Sequence, residues 1–190
     1  MDRFAECVCD IVREISVRYG DGISGWWFDS GYAVDPRGIH NTVSTNMGDW
    51  QFPWEMLCTA AEAGNPNAAI TINAGIGEHF RYCHAIDYWA GEMDQLDDMP
   101  VCSTDDLLQT RWLPIEGNHA WVLGEHCEAF LPSAYEAEDI KRYLEIQLKS
   151  GNMVTFNVLT DRDGTFNPKI AAFFEALREG MKIESGRTPG

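Results

Sequence analysis

The sequence is short of basic side chains and lacks the motifs that bind nucleotides. It contains 14 Lys and Arg against 30 Asp and Glu, which gives a formal net charge of −16. Because nucleic-acid binding requires clusters of basic residues that neutralise phosphates, this composition argues against a nucleic-acid partner. Neither G-x-G-x-x-G nor a P-loop occurs, which disfavours a dinucleotide or nucleoside triphosphate site.

Long apolar runs are also missing. No segment approaches the length of a membrane-spanning helix, and the first twenty residues carry too many charges for a secretory signal. We therefore expect no membrane partner and a cytoplasmic location, the alternative being a signal that precedes Met1.

The six cysteines form no Cys-x-x-Cys pair, and they stand at positions 7, 9, 58, 83, 102 and 127. Together with five scattered histidines, this spacing disfavours a zinc site. Reduced, mostly buried thiols are expected instead. The absence of a G-x-S-x-G motif argues against a serine hydrolase of the nucleophile-elbow type.

The sequence does contain enough apolar residues for one domain with a substantial core, 45 % of 190 residues. Helical spacing of Phe4, Val8, Ile11, Val12 and Ile15 predicts a first helix, and Gly20 follows as its C-terminal stop. Predicted helices cover 2–19, 52–64, 133–151 and 167–182. Predicted strands cover 22–31, 68–75 and 152–161, with a further short strand or turn at 119–126. Ser133 and Glu136 suggest a capping box for the third helix, and Pro168 suggests the start of the fourth.

Strands that alternate with helices and consist of nearly continuous apolar runs predict an α/β fold with a parallel sheet covered by helices. A closed eight-stranded barrel needs about 250 residues, and only three or four strands are recognisable here. We therefore expect the later part of a (β/α)8 TIM barrel over residues 1–183, lacking the upstream strands, and a flexible tail over 184–190. An open sheet edge would favour a homodimer.

Asp29 follows three aromatic residues, in the stretch GISGWWFDSGY. Active sites of parallel sheets lie beyond the carboxyl ends of strands, and strand alternation places Trp27 on the same face as Asp29. A carboxylate beside an indole suits a sugar, because the indole can stack on the apolar face of the ring. The alternative is an aspartate that opens an Asp-Ser-Gly turn beside a core tryptophan.

A second acid is needed for glycoside hydrolysis, since a retaining enzyme uses two carboxylates about 5–5.5 Å apart. The long segment after the second strand offers four candidates, which are Glu78, Asp87, Glu92 and Asp94. The stretch AIDYWAGEMD sets Glu92 near Trp89, and an apolar wall favours the protonated form that an acid catalyst requires. The alternative is a solvated acidic loop. His79 and His84 could bind a substrate hydroxyl or serve as structural histidines.

Four stretches together resemble the α-L-fucosidases of glycoside hydrolase family 29 over most of residues 10–180. They are REISVRYGDGISGWWFDSGY, AGNPNAAITINAGI, DYWAGE and SGNMVTFNVLTDRDGTFNP with the following AFFEALREG. Ser30 departs from this pattern, because the family usually has glycine after the aspartate.

The resemblance implies a retaining, exo-acting enzyme that needs no metal or organic cofactor and acts on a carbohydrate substrate. By this likeness Asp29 is the nucleophile and Glu92 the acid/base, with Glu78 in reserve. Substrate contacts are expected from Trp27, Asp87, Trp89 and His84, of which Asp87 would hold a hydroxyl or tune Glu92. The alternative is a catalytically incomplete fragment or a carbohydrate-binding pseudoenzyme of the same fold.

Overall fold

The structure, a computed structural model, describes residues 2–31, 50–93, 95–96, 107–116, 122–123 and 129–181. Its helices are α1 (Asp2–Tyr19), α2 (Trp54–Ala61), α3 (Ala137–Lys149) and α4 (Pro168–Gly180). Its strands are β1 (Gly25–Phe28), β2 (Ala69–Ile72), β3 (Tyr88–Trp89), β4 (Leu108–Pro114) and β5 (Met153–Asn157). The chain divides into two compact units. The first comprises Met1–Glu92 and Ser103–Arg111, and the second comprises Met93–Cys102 and Trp112–Gly190.

The first unit contains two parallel strand pairings, which belong to two different sheets. β1 pairs with β2 in a register that runs from Gly25 opposite Ala69 to Phe28 opposite Ile72. Both strands therefore end at the same level, and the residues that follow them, Asp29 and Asn73, emerge side by side. β3 pairs in parallel with the beginning of β4. The predicted α/β class with parallel strands is confirmed, and the partial (β/α)8 barrel remains a prediction.

The predicted helix α1 is present, but its buried face includes only part of the apolar residues at helical spacing. Phe4, Ile11 and Ile15 are exposed, and the buried residues of the helix are Ala5, Cys9, Val12 and Ser16. Small side chains face α2 because the two helices approach closely there: the Ser16 hydroxyl donates a 2.5 Å hydrogen bond to the carbonyl oxygen of Ala61. The close approach of α1 to α2 therefore selects small side chains for the buried face, and the larger apolar side chains of α1 stay exposed.

The second unit packs β5, α3 and α4 around its own apolar cluster, whose buried members are Met93, Leu113, Ile115, Ile140, Ile170 and Leu177. α4 begins at Pro168 as predicted, and the Asn167 side chain accepts a hydrogen bond from the Lys169 N–H at its start. The predicted capping box of α3 is wrong. Glu136 is the N-cap and makes no side-chain cap bond, while the Ser133 hydroxyl forms a local turn with the backbone of Tyr135.

Two strands, β3 and β4, lie in the long segment after β2, where the sequence predicted no strand. In β4 three polar residues, Gln109 to Arg111, follow Leu108 and precede the apolar residues Trp112 to Pro114, and six of its seven residues are buried. The predicted tail 184–190 and Asp94 lie outside the described residues, as does most of 119–126. Within the described part of the chain, no helix is both long and apolar enough to cross a bilayer.

Candidate active site

The side chain of Asn73 joins the two carboxylates that the sequence singled out. Its Nδ2 donates a hydrogen bond of 3.0 Å to Oδ1 of Asp29 and another of 2.5 Å to Oε2 of Glu92. The two accepting oxygens consequently lie at most about 5.5 Å apart, compatible with the separation of about 5–5.5 Å used by retaining glycosidases and short of the 6.5–9.5 Å of inverting ones.

Asn73 is held in one orientation by the backbone around it. It is 1 % exposed, its N–H donates to the carbonyl oxygen of Phe28 at 2.8 Å, and its Oδ1 accepts from the N–H of Gly75 at 3.0 Å. Because the amide oxygen is used by this donor, the NH2 group must face the carboxylates. Both amide hydrogens are therefore fixed toward Asp29 and Glu92.

Asp29 stands at the exposed carboxyl end of β1. Its Oδ1 also accepts the N–H of Ser30 at 2.6 Å, and Ser30 has a φ of +63°. Asp29 therefore opens a turn and also lies near a second acid, while its catalytic role stays a prediction. Among the described residues, no hydrogen-bond donor engages its Oδ2, which leaves that oxygen available for chemistry.

Glu92 is half-buried and follows a tightly placed glycine. Gly91 has a φ of +65°, and its backbone lies against the carbonyl oxygen of Thr110. The carbonyl oxygen of Glu92 accepts a hydrogen bond from Gly77 at 2.9 Å. The backbone on both sides of the glutamate is therefore fixed, which orients its side chain toward Asn73.

The aromatic residues of β1 alternate between the two faces of the strand as predicted. Trp26 and Phe28 stack with ring centroids 5.5 Å apart, and both pack against the core. Trp27 points to the other face and is 36 % exposed. Its indole is accessible to a ligand beside Asp29.

Trp89 was expected to contact the substrate, but its side chain belongs to the core. It is only 5 % exposed and packs edge-on against His79 with ring centroids 5.5 Å apart. A sugar cannot stack on a ring buried to this extent, so the expected substrate contact of Trp89 is not available.

Asp87 and His84 are not brought to Asn73. Asp87 exchanges hydrogen bonds with Ile70 near the start of β2: its Oδ2 accepts from the Ile70 N–H at 2.8 Å, and its own N–H donates to the Ile70 carbonyl oxygen at 2.9 Å. His84 lines a cavity of about 420 Å³ beside the start of α2, where its N–H donates to Glu55 at 3.2 Å. Asp87 thus binds the backbone of Ile70 instead of facing Asn73.

His79 lies in the segment between β2 and β3, together with the reserve candidate Glu78. Burial lowers the pKa of His79, and the nearby Arg111 charge acts in the same direction. Its Nε2 is buried and has no hydrogen-bond partner among the residues that the structure describes. The neutral imidazole is therefore the favoured form in this environment. In the described ranges, no group of three or more His, Cys, Asp or Glu side chains is arranged to hold a metal ion.

Sequence analysis missed Asn73, although a signal for it exists. Asn73 directly follows the strand 68–72, just as Asp29 follows β1. Aligning the ends of neighbouring parallel strands would have placed the two side by side.

Comparison with solved structures identifies the fold. The endo-fucoidan hydrolase MfFcnA4 of glycoside hydrolase family 107 superposes on 95 % of this chain with a TM-score of 0.70 and 20 % identity. MfFcnA9 of that family matches 95 % of the chain with a TM-score of 0.67 and 19 % identity, and P5AFcnA matches 98 % with a TM-score of 0.61 and 13 % identity. At these identities the likeness establishes the fold.

The matched region covers 30 %, 36 % and 58 % of the three enzymes, respectively. The chain thus spans about a third of the first two. No family model matches the sequence, and no curated protein matches it either. The chain therefore shares the fold of a part of these endo-fucoidan hydrolases, and the resemblance to family 29 in particular stays a prediction.

Proposed function

We propose that this chain carries the catalytic carboxylates of a retaining glycoside hydrolase that acts on fucose-containing carbohydrate. The observation that carries the proposal is the pair of hydrogen bonds by which Asn73 holds Asp29 and Glu92 at the ends of parallel strands. The shared fold with endo-fucoidan hydrolases supports a fucose-containing substrate.

In this mechanism Oδ2 of Asp29 attacks the anomeric carbon of the bound sugar. Glu92 gives its proton to the departing glycosidic oxygen, and a covalent glycosyl-enzyme forms on Asp29. Glu92, now a carboxylate, removes a proton from water, which attacks the anomeric carbon and releases the sugar with its original anomeric configuration. Asn73 keeps Oδ1 of Asp29 occupied, which leaves Oδ2 directed toward the sugar.

Trp27 provides the apolar wall of the proposed site. Its exposed indole, on the same strand face as Asp29, would stack on the sugar that occupies the reaction centre. Asp87 and Trp89 are not part of the proposed site, because the Asp87 carboxylate binds the Ile70 N–H and the Trp89 ring is buried in the core.

The decisive experiment measures hydrolysis of an aryl α-L-fucoside and of fucoidan by the intact protein. Asp29→Ala should lower turnover by at least about 10³-fold, since it removes the nucleophile. Asp21→Ala is the matched control, because Asp21 is an exposed aspartate in the turn before β1. Near-normal activity of Asp29→Ala would end the assignment.

Covalent trapping tests the nucleophile directly. A 2-deoxy-2-fluoro fucosyl fluoride should label Asp29, and peptide mass spectrometry should find the added sugar there. A label on another carboxylate would contradict the assignment. Glu92→Gln should impair substrates with poor leaving groups far more than activated aryl fucosides. If Glu78→Gln shows that pattern instead, the acid/base is Glu78.

The mode of attack on the chain is a separate question. The resemblance to family 29 predicts an exo-acting enzyme that removes a terminal sugar, whereas the structural neighbours are named as endo-acting. Product sizes released from fucoidan distinguish the two: fucose monomers indicate exo action, and oligosaccharides indicate endo action.

A carbohydrate-binding protein without turnover is the second candidate. It is favoured by the exposed indole of Trp27, which could stack on a sugar without any catalytic step. Binding of fucoidan oligosaccharides that depends on Trp27, without release of products or trapping at Asp29, would support this candidate over the enzyme.

A further inference from the structure

Two buried thiols contact each other in the first unit, apart from the proposed catalytic residues. Sγ of Cys58, in α2, lies 3.6 Å from Sγ of Cys83, in the segment between β2 and β3. Both cysteines are free thiols. Because they are separated by 25 positions in the sequence, the contact is created by the tertiary fold.

The two thiols differ in access. Cys83 lines the cavity of about 420 Å³, together with Trp54, Arg81 and Tyr82. Cys58 does not line this cavity and is 0 % exposed. Cys83 therefore borders the cavity, whereas Cys58 contacts the Cys83 sulfur without bordering it.

The two thiols also differ in reactivity. Either sulfur can donate in this contact. The pKa of Cys83 is lowered, because the contact with Cys58, the Ala85 N–H and the Arg81 charge together outweigh the opposite effect of burial. The same hydrogen bond, together with burial, raises the pKa of Cys58. Cys83 is thus the better nucleophile, because the thiolate is the reactive form.

We propose that Cys83 and Cys58 form a redox-active dithiol, which small disulfides of the oxidised-glutathione class convert to an intramolecular disulfide from the cavity side. The Cys83 thiolate attacks one sulfur of the small disulfide, whose S–S bond breaks and releases one thiolate. Cys58 then loses its proton and attacks Sγ of Cys83, which releases the second thiolate. Two protein thiols are oxidised, and one small disulfide is reduced to two thiols.

Disulfide formation requires only a local movement. The sulfur atoms must approach by about 1.6 Å to reach the usual bond length of about 2.05 Å, a shift within reach of side-chain rotation. The new bond would tie α2 to the segment after β2 and close a loop that contains β2 and Asn73. Oxidation should therefore raise the resistance of the first unit to unfolding.

The test uses the full chain, fully reduced and folded, incubated with oxidised glutathione and then mapped by peptide mass spectrometry after alkylation. The expected product is a cross-linked pair of peptides containing Cys58 and Cys83, with the loss of two free thiols and their return on treatment with dithiothreitol. The oxidised chain should unfold at a higher urea concentration than the reduced chain.

Single variants separate the two steps. Cys58→Ser should stop at a mixed disulfide between Cys83 and glutathione, whereas Cys83→Ser should leave Cys58 unmodified as long as the chain is folded. Cys58→Ala replaces Cys58→Ser if the serine variant does not fold. Cys7→Ser is the matched control, since Cys7 is an exposed thiol in α1, and it should leave the cross-link unchanged. A folded wild-type chain without the cross-link, or a Cys58 variant without glutathione on Cys83, would overturn the proposal.

Discussion

Gly91 lies so close to Thr110 that no side chain fits between them. A β-carbon at position 91 would stand 1.6 Å from the carbonyl oxygen of Thr110, and the φ of Gly91 is +65°. Both constraints act on the residue immediately before Glu92. The position of the proposed acid/base therefore depends on a glycine that itself has no catalytic group.

Replacing Gly91 with alanine should both destabilise the protein and displace Glu92. We expect Gly91→Ala to lower the free energy of unfolding by more than about 3 kcal/mol, because a backbone oxygen cannot give way as a flexible side chain can. Urea unfolding followed by circular dichroism measures the loss. Gly77→Ala is the matched control, since Gly77 has a φ of +69° with nothing within 4 Å of its β-carbon position. It should cost only about 1–2 kcal/mol, and equal losses in the two variants would show that the approach to Thr110 is unimportant.

Asn73 should affect activity more than any other amide side chain of the first unit. Asn73→Ala removes both hydrogen bonds to the carboxylates, and we expect activity toward an aryl fucoside to fall by about 10²–10³-fold. Asn65→Ala is the control, because the Asn65 side chain bonds only backbone groups of Ile23 and Asn67 in the described structure. It should reduce stability but leave the activity of the folded fraction intact. Similar activity losses in both variants would argue against a positioning role for Asn73.

The two tryptophans assigned to the substrate from the sequence should behave differently. Trp27→Ala should change stability by no more than about 1 kcal/mol while weakening carbohydrate binding, because its indole is exposed. Trp89→Ala should lower the free energy of unfolding by about 3–5 kcal/mol, because it leaves a cavity in the core. Urea unfolding and titration with a fucoidan oligosaccharide distinguish the two effects. Unchanged oligosaccharide affinity in Trp27→Ala would remove this residue from the site.

Because of Tyr88, the stability of the first unit should depend on pH in the alkaline range. Burial, assisted by the Asp87 charge, raises the pKa of its phenol to about 12, and the hydroxyl donates to the carbonyl oxygen of Trp26 at 3.2 Å. In the unfolded chain a phenol ionises near pH 10. The unfolded state therefore loses the proton first, so the stability due to Tyr88 is complete below about pH 10 and declines between about pH 10 and 12.

The test compares urea unfolding of the wild type and Tyr88→Phe across that pH range. The stability advantage of the wild type should shrink as the pH rises from about 10 to 12. The comparison cancels the effects of the other titrating groups, which both proteins share. A constant difference over the whole range would contradict the shifted pKa.

The amino-acid pattern predicted most of the regular structure, since the four helices and the strands β1, β2 and β5 lie where it placed them. These elements have strong local signals, such as the apolar run AAITI and the proline at the start of α4. β4 escaped prediction because its buried positions include Gln109, Thr110 and Arg111. Polar side chains at such positions resemble a solvated loop when only the sequence is considered.

The site was predictable where a residue carries its own signal. Asp29 and Glu92 stood out as acids beside aromatic residues, and the structure brings both to the same amide. Asn73 gave no such local signal, because its importance arises from the register between β1 and β2. Asp87 and Trp89 carried the same local signal as the site residues, but tertiary contacts engage them elsewhere.

The turn after Asp29 requires a left-handed backbone conformation at Ser30, which lowers the stability of the folded chain. Ser30 has a φ of +63°, and it alone among the described non-glycine residues has a positive φ. An L-residue in this conformation loses about 1–2 kcal/mol relative to the right-handed form, a loss that glycine would largely avoid. The backbone next to the proposed nucleophile is therefore strained, and Ser30→Gly would relieve that strain. Position 30 is a natural starting point for engineering a variant with a higher free energy of unfolding.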